Sequence, residues 1–90
     1  MKRGISEQEM AQQLRLGLLK AYGLEEGLRT AEAVVPGILR DFRNMLLAGD
    51  AGAEVTETYR TEDLRSEIVL KGHRESTGKL WFDEGTVRRL

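Results

Sequence analysis

Apolar positions in the first half of the chain recur at helical spacing. Met10, Leu14 and Leu18, with Ala21 and Tyr22 beyond them, stand three or four residues apart along one stripe, which places them on a single helix face for burial against a neighbour. Ser6 followed three residues later by Glu9 reads as a capping box. Ile5 and Met10 flank it as a hydrophobic staple, so the helix is predicted to start near Ser6. Gly23 is placed to end it after Tyr22 in a left-handed conformation, with Leu24 folding back on Leu19. A second stripe, Leu28, Ala31, Val35, Ile38, Phe42 and Met45, alternates steps of three and four and is widened by Leu39 and Leu46. It predicts a helix from Glu25 or Glu26 to about Ala48, stopped by Gly49. Pro36 falls inside that stripe and cannot donate to the carbonyl of residue 32, so a kink or a break is expected there.

The periodicity changes after Gly49-Asp50-Ala51-Gly52-Ala53. Val55 to Thr61 is rich in Val, Thr and Tyr, and Leu64, Ser66, Ile68 and Leu70 alternate with Arg65, Glu67, Val69 and Lys71, a two-residue period that predicts strands. The competing reading of the second segment is a helix capped by Thr61, with Glu62 and Asp63 in its first turn and Gly72 beyond its end. Lys79 to Asp83 reads as a further strand, reached through a polar hairpin tip from His73 to Gly78. Leu80 and Phe82 lie on one side of it and Trp81 on the other. Gly85 is expected to turn the chain into a peripheral tail, Thr86 to Leu90.

Together these elements predict an α+β fold, an N-terminal helical hairpin packed on a small antiparallel sheet of two to three strands. All 90 residues are expected to form one domain, with a helical half (1–48), a junction (49–53) and a strand-rich half (54–90). A hydrophobic fraction of 40% supports a folded core. The chain has no cysteine, which closes disulfide, thiolate-metal and cysteine-nucleophile chemistry together. No apolar run is long enough to span a bilayer, and polar Ser6-Glu7-Gln8-Glu9 follows Met1-Lys2-Arg3 where a signal peptide needs an apolar stretch. A cytoplasmic location is expected.

Candidate chemistry is sparse. His73 is the only histidine; without a second histidine or a cysteine, no metal site and no cofactor site are expected. Ser76 lies near it in sequence, but no orienting acid or oxyanion donor is evident, so His73 reads as a solvated loop residue and the chain as a non-enzyme. The carboxylates Glu54, Glu57, Glu62, Asp63 and Glu67 read as the wet face of a sheet. The glycines, among them Gly27, Gly72 and Gly85, read as punctuation between elements.

Two binding roles remain. Trp81, with Lys79 and Arg74, is the candidate anchor for a protein partner, since tryptophan is enriched among interface hot spots. Leu16 and Leu19 lie away from the main stripe of the first helix and are the candidate surface for a homodimer. The expected function is therefore a small protein–protein interaction module acting as adaptor, inhibitor or regulator. The alternative is a DNA-binding regulator using Arg29, Arg40 and Arg43 of the second helix with Arg74 and Lys79 of the hairpin. Helices followed by a β-hairpin, with Gly23-Leu24 between the helices and Gly49-Asp50 after the second, give an element order similar to that of the HU/IHF family of DNA-bending proteins. That family's basic arm and glycine-aromatic-glycine turn have no counterpart in Ala51 to Arg60, and a net charge of −1 has the wrong sign for a chain held on phosphates. The resemblance stops at element order.

Overall fold

The structure is a computed structural model that describes residues 4–60 and 66–90. Two helices, α1 (Glu7–Tyr22) and α2 (Leu24–Ala48), precede three strands, β1 (Val55–Arg60), β2 (Ser66–Arg74) and β3 (Leu80–Arg89). The strands form one antiparallel sheet in the order β1-β2-β3. Along β2, Ser66, Ile68, Leu70 and Gly72 are buried while the residues between them are only partly so. Ile68, Leu70 and Phe82 join Met10, Leu14 and Leu18 of α1 and Ala31, Val35, Ile38, Leu39, Phe42 and Leu46 of α2 in one core. The helices thus cover one face of the sheet. The fold is the α+β arrangement the alternating stripes predict, and the segment from Ser66 onward is strand rather than helix. Thr61 to Arg65, where the cap of the competing helix would stand, lie outside the described residues.

The capping box of α1 is complete. Ser6 Oγ accepts from the Glu9 backbone N–H at 3.2 Å, and Glu9 Oε1 accepts from the Ser6 N–H at 3.1 Å, satisfying two N-terminal donors reciprocally. At the other end Gly23 takes a φ of +87° and donates to the Leu19 carbonyl at 2.8 Å. Leu24 does not fold back on Leu19. It is 73% exposed and opens α2, one residue ahead of the predicted start. Three residues on, Gly27 lets the helices cross at contact: a Cβ there would stand 2.7 Å from Leu19 Cα and 2.8 Å from the Leu18 carbonyl oxygen. Both neighbours are backbone and cannot swing aside. Gly27→Ala is therefore expected to cost about 1–3 kcal/mol through overpacking, outweighing its propensity gain of up to about 1 kcal/mol. Urea unfolding checks this, and an unchanged or raised midpoint would show that the helices separate easily.

Helix α2 continues through Pro36 without a break. Pro36 and Glu32, whose carbonyl loses its donor, are both exposed, so solvent can satisfy the orphaned oxygen. On the side of α2 toward β1, Tyr59 donates its phenolic hydrogen to Asp41 at 2.7 Å. Burial, followed by the hydrogen bond and charge of Asp41 and then by Glu57, holds that phenol above the usual tyrosine range.

Beyond Asp83 the strand-rich half departs from the sequence reading. Gly85 does not turn the chain; β3 runs on to Arg89, pairing Val87 with Ile68 and Arg89 with Ser66. Nor is this end peripheral. The Arg89 guanidinium lies 5.2 Å from the Tyr22 ring centroid and donates to the Ala21 carbonyl at 2.9 Å, and the Tyr22 hydroxyl is hydrogen-bonded to buried Ser66. Gly85 and Gly72 are contact positions rather than punctuation: a Cβ on the first would collide with Met10 Sδ, and on the second it would stand 2.9 Å from Phe42 Cε2.

The two sheet edges differ. Ile5 bridges to Phe82 through a pair of backbone hydrogen bonds of 2.7 and 2.9 Å, covering β3. Here the β2–β3 register also shifts: Lys71 pairs with Glu84 but Gly72 with Phe82, so Asp83 is the extra residue of a β-bulge.

Candidate functional site

The face of the sheet turned away from the helices carries a group of polar and aromatic side chains at the end nearest the β2–β3 turn. Alternation from buried Gly72 puts His73 on this face, directly across from Trp81. His73 therefore belongs to strand β2, not to the hairpin tip. The bulge re-aims the neighbouring residue, and Asp83 Oδ2 meets His73 Nδ1 at 2.8 Å. The pair is well shielded, with side-chain exposures of 19% for His73 and 6% for Asp83. A carboxylate can only accept, so Nδ1 carries the hydrogen and the bond fixes the ring's tautomer and orientation. The orienting acid that sequence spacing does not reveal is thus Asp83, ten residues away and delivered by the bulge.

These two residues, with Gly52 and Glu54 ahead of β1, line a shallow cleft of about 200 Å³. Among the described residues, the lining of this cleft carries no hydroxyl side chain. Among the described residues, no group of three or more His, Cys, Asp or Glu is disposed to hold a metal ion. Asp83 Oδ1 is buried without a hydrogen-bond partner among the described residues, and it lies against Gly4, where a Cβ would be 2.8 Å from it.

Trp81 stands beside this couple, partly exposed and fixed from two sides. Its indole N–H donates to Glu75 Oε1, and Lys79 Nζ lies 4.5 Å from the ring centroid, a cation–π distance. The turn that carries both partners is closed by hydrogen bonds from Glu75 N–H to the Lys79 carbonyl and from Gly78 N–H to the Glu75 carbonyl, each 2.8 Å. Gly78 has a φ of +97°, which only glycine adopts readily.

The other sequence candidates are dispersed. Arg74 lies on the helical side of the sheet, where its guanidinium donates to the carbonyls of Leu46 at 3.2 Å and Gly49 at 2.6 Å. It caps the end of α2 and ties down the junction ahead of β1, whose Gly52 N–H returns to the Arg74 carbonyl at 2.8 Å. Arg74→Met keeps the apolar stem but removes these donors, and is expected to cost about 1.5–3 kcal/mol. A denaturant midpoint equal to that of the unaltered chain would rule this capping role out. Arg43 is paired with Glu7 at 2.9 Å, Arg29 reaches Glu25 only at 3.9 Å, and Arg40 is exposed. Arg29 and Arg43 stand roughly 21 Å apart along the helix. On α1, Leu16 is 58% exposed, whereas Leu19 is partly buried.

Set against known protein families, characterised proteins and solved structures, the chain matches none of them. No helix among the described residues is long and apolar enough to cross a membrane.

Proposed function

We propose that this chain is a non-enzymatic protein–protein interaction module of the cytoplasm, an adaptor, inhibitor or regulator that takes its partner on the open face of the sheet. The observation that supports this reading is Trp81: it stands on the face the helices leave uncovered, already held by Glu75 and Lys79. An aromatic whose rotamer is fixed before contact loses little entropy on binding, and such residues dominate interface energetics. His73 and Asp83 beside it add a rigid polar rim with a defined donor and acceptor pattern.

Capture from a lysate of the source cell, run with and without nuclease and with Trp81→Ala as a matched bait, tests the proposal. The expected result is a stoichiometric protein that survives nuclease and is lost with the variant. Retained nucleic acid, with co-purifying protein that disappears on nuclease treatment, would favour the DNA-binding alternative through the helix arginines.

A further inference from the structure

We infer that the free edge of β1 is the seam along which two copies of this chain pair, making a continuous six-stranded antiparallel sheet with all four helices on one side. This inference is independent of a partner at Trp81, which lies at the far side of the sheet on β3.

The sheet treats its two edges differently. The edge at β3 is broken by the Asp83 bulge and capped by the Ile5 bridge to Phe82, two of the devices that prevent edge-to-edge pairing. β1 has neither. Its six residues, Val55 to Arg60, pair with β2 in unbroken register, contain no proline or lysine, and have no backbone partner on the outer edge among the described residues. A straight strand in this state presents a ready ladder of donors and acceptors.

The side chains select a second copy and a register. Two-fold pairing of identical antiparallel strands must be centred on a residue if each sheet face is to stay continuous. Centring on Glu57 would set Arg60 directly opposite Glu54 of the other copy, but it also sets the two Glu57 carboxylates directly opposite each other at the two-fold, which is unfavourable. Centring on Thr58 instead pairs Thr58 with its own copy, Glu57 with Tyr59 and Thr56 with Arg60, using positions 56 to 60 of the strand. On the outer face this brings Arg60 diagonally next to Glu54 of the other copy, within reach of long side chains. The charges available there are complementary. Arg60 shares Glu67 with Arg88, at 3.8 and 3.4 Å, so two cations rest on one carboxylate, while Glu54 is exposed and makes no ion pair among the described residues. The contact occurs twice by symmetry.

The chain contains no cysteine, which permits a register test by cross-linking. At the two-fold centre the Cα atoms of opposed residues are roughly 4.5–5.5 Å apart, inside the roughly 4.4–6.8 Å range of disulfides. Under mild oxidation Thr58→Cys is expected to give a covalent dimer almost completely. Thr56→Cys, two positions off the centre, and Thr86→Cys on β3 should each give roughly tenfold less. Light scattering of the unaltered chain should give twice 10.1 kDa, and Leu16→Glu combined with Leu19→Glu should leave that mass unchanged. A monomeric mass, equal cross-linking at positions 56 and 58, or a dimer that the two leucine substitutions dissociate would each overturn the β1 seam.

Discussion

Phe82→Ala is expected to remove about 3–5 kcal/mol of stability, the cost of leaving an aromatic-sized cavity in a close-packed core. Phe82 is completely buried, and its ring meets that of Phe42 at a centroid distance of 5.6 Å and an interplanar angle of 42°. That tilted geometry adds about 0.5–1.5 kcal/mol beyond area burial. The site has little freedom to collapse. Across the sheet stands Gly72, whose missing side chain already lets Phe42 approach, and the Phe82 backbone is held by Ile5 on the other side. Total stabilities of about 5–15 kcal/mol are usual for folded domains, so the loss consumes a large share here. Urea unfolding of the variant measures it. A cost below about 1 kcal/mol, within the range of tolerated core swaps, would mean that the helix–sheet contact is looser than the structure has it.

Trp81→Ala is the functional counterpart of that substitution and differs from it in kind. Trp81 precedes Phe82 in the same strand but points to the opposite face, so its removal opens no core cavity. The stability loss should stay near about 1–2 kcal/mol, the scale of surface cation–π contacts and hydrogen bonds such as those to Lys79 and Glu75. The loss of partner affinity should be larger, about 2–4 kcal/mol or roughly 30- to 1,000-fold, as for central interface aromatics. Thermal unfolding and a binding titration on the same preparation separate the two effects. A large stability loss with unchanged affinity would make Trp81 a structural residue and remove the proposed anchor.

Much of this architecture is legible in the sequence because it is local. The Ser6–Glu9 capping box, the stripes of both helices, the glycine end of α1 and the opposed facing of Phe82 and Trp81 each depend on residues a few positions apart. What the sequence conceals comes from register and close approach. Asp83 reaches His73 only because a bulge shifts β3 by one residue against β2, and nothing in the spacing of residues 73 and 83 announces a bulge. Gly27, Gly72 and Gly85 look like element ends because glycine usually marks them, yet each sits where another chain segment or core side chain needs the space. The same bias hides the last part of β3: once Gly85 is read as a turn, the alternation of Thr86, Val87, Arg88 and Arg89 no longer registers as a strand. Arg74 resembles a surface cation by composition, but its donors are spent on the carbonyls of Leu46 and Gly49, more than 20 residues earlier.

The central claim, that the uncovered sheet face takes the partner, is most directly tested at the indole of the single tryptophan. In a ¹⁵N-labelled sample of this chain, Trp81 contributes one indole N–H resonance, and unlabelled captured partner adds none. Titration with that partner is predicted to shift or broaden this resonance, together with the amides of His73, Asp83 and Lys79, to saturation at one equivalent per chain. Saturating binding that leaves the indole resonance in place and perturbs only α1 and α2 would contradict the claim.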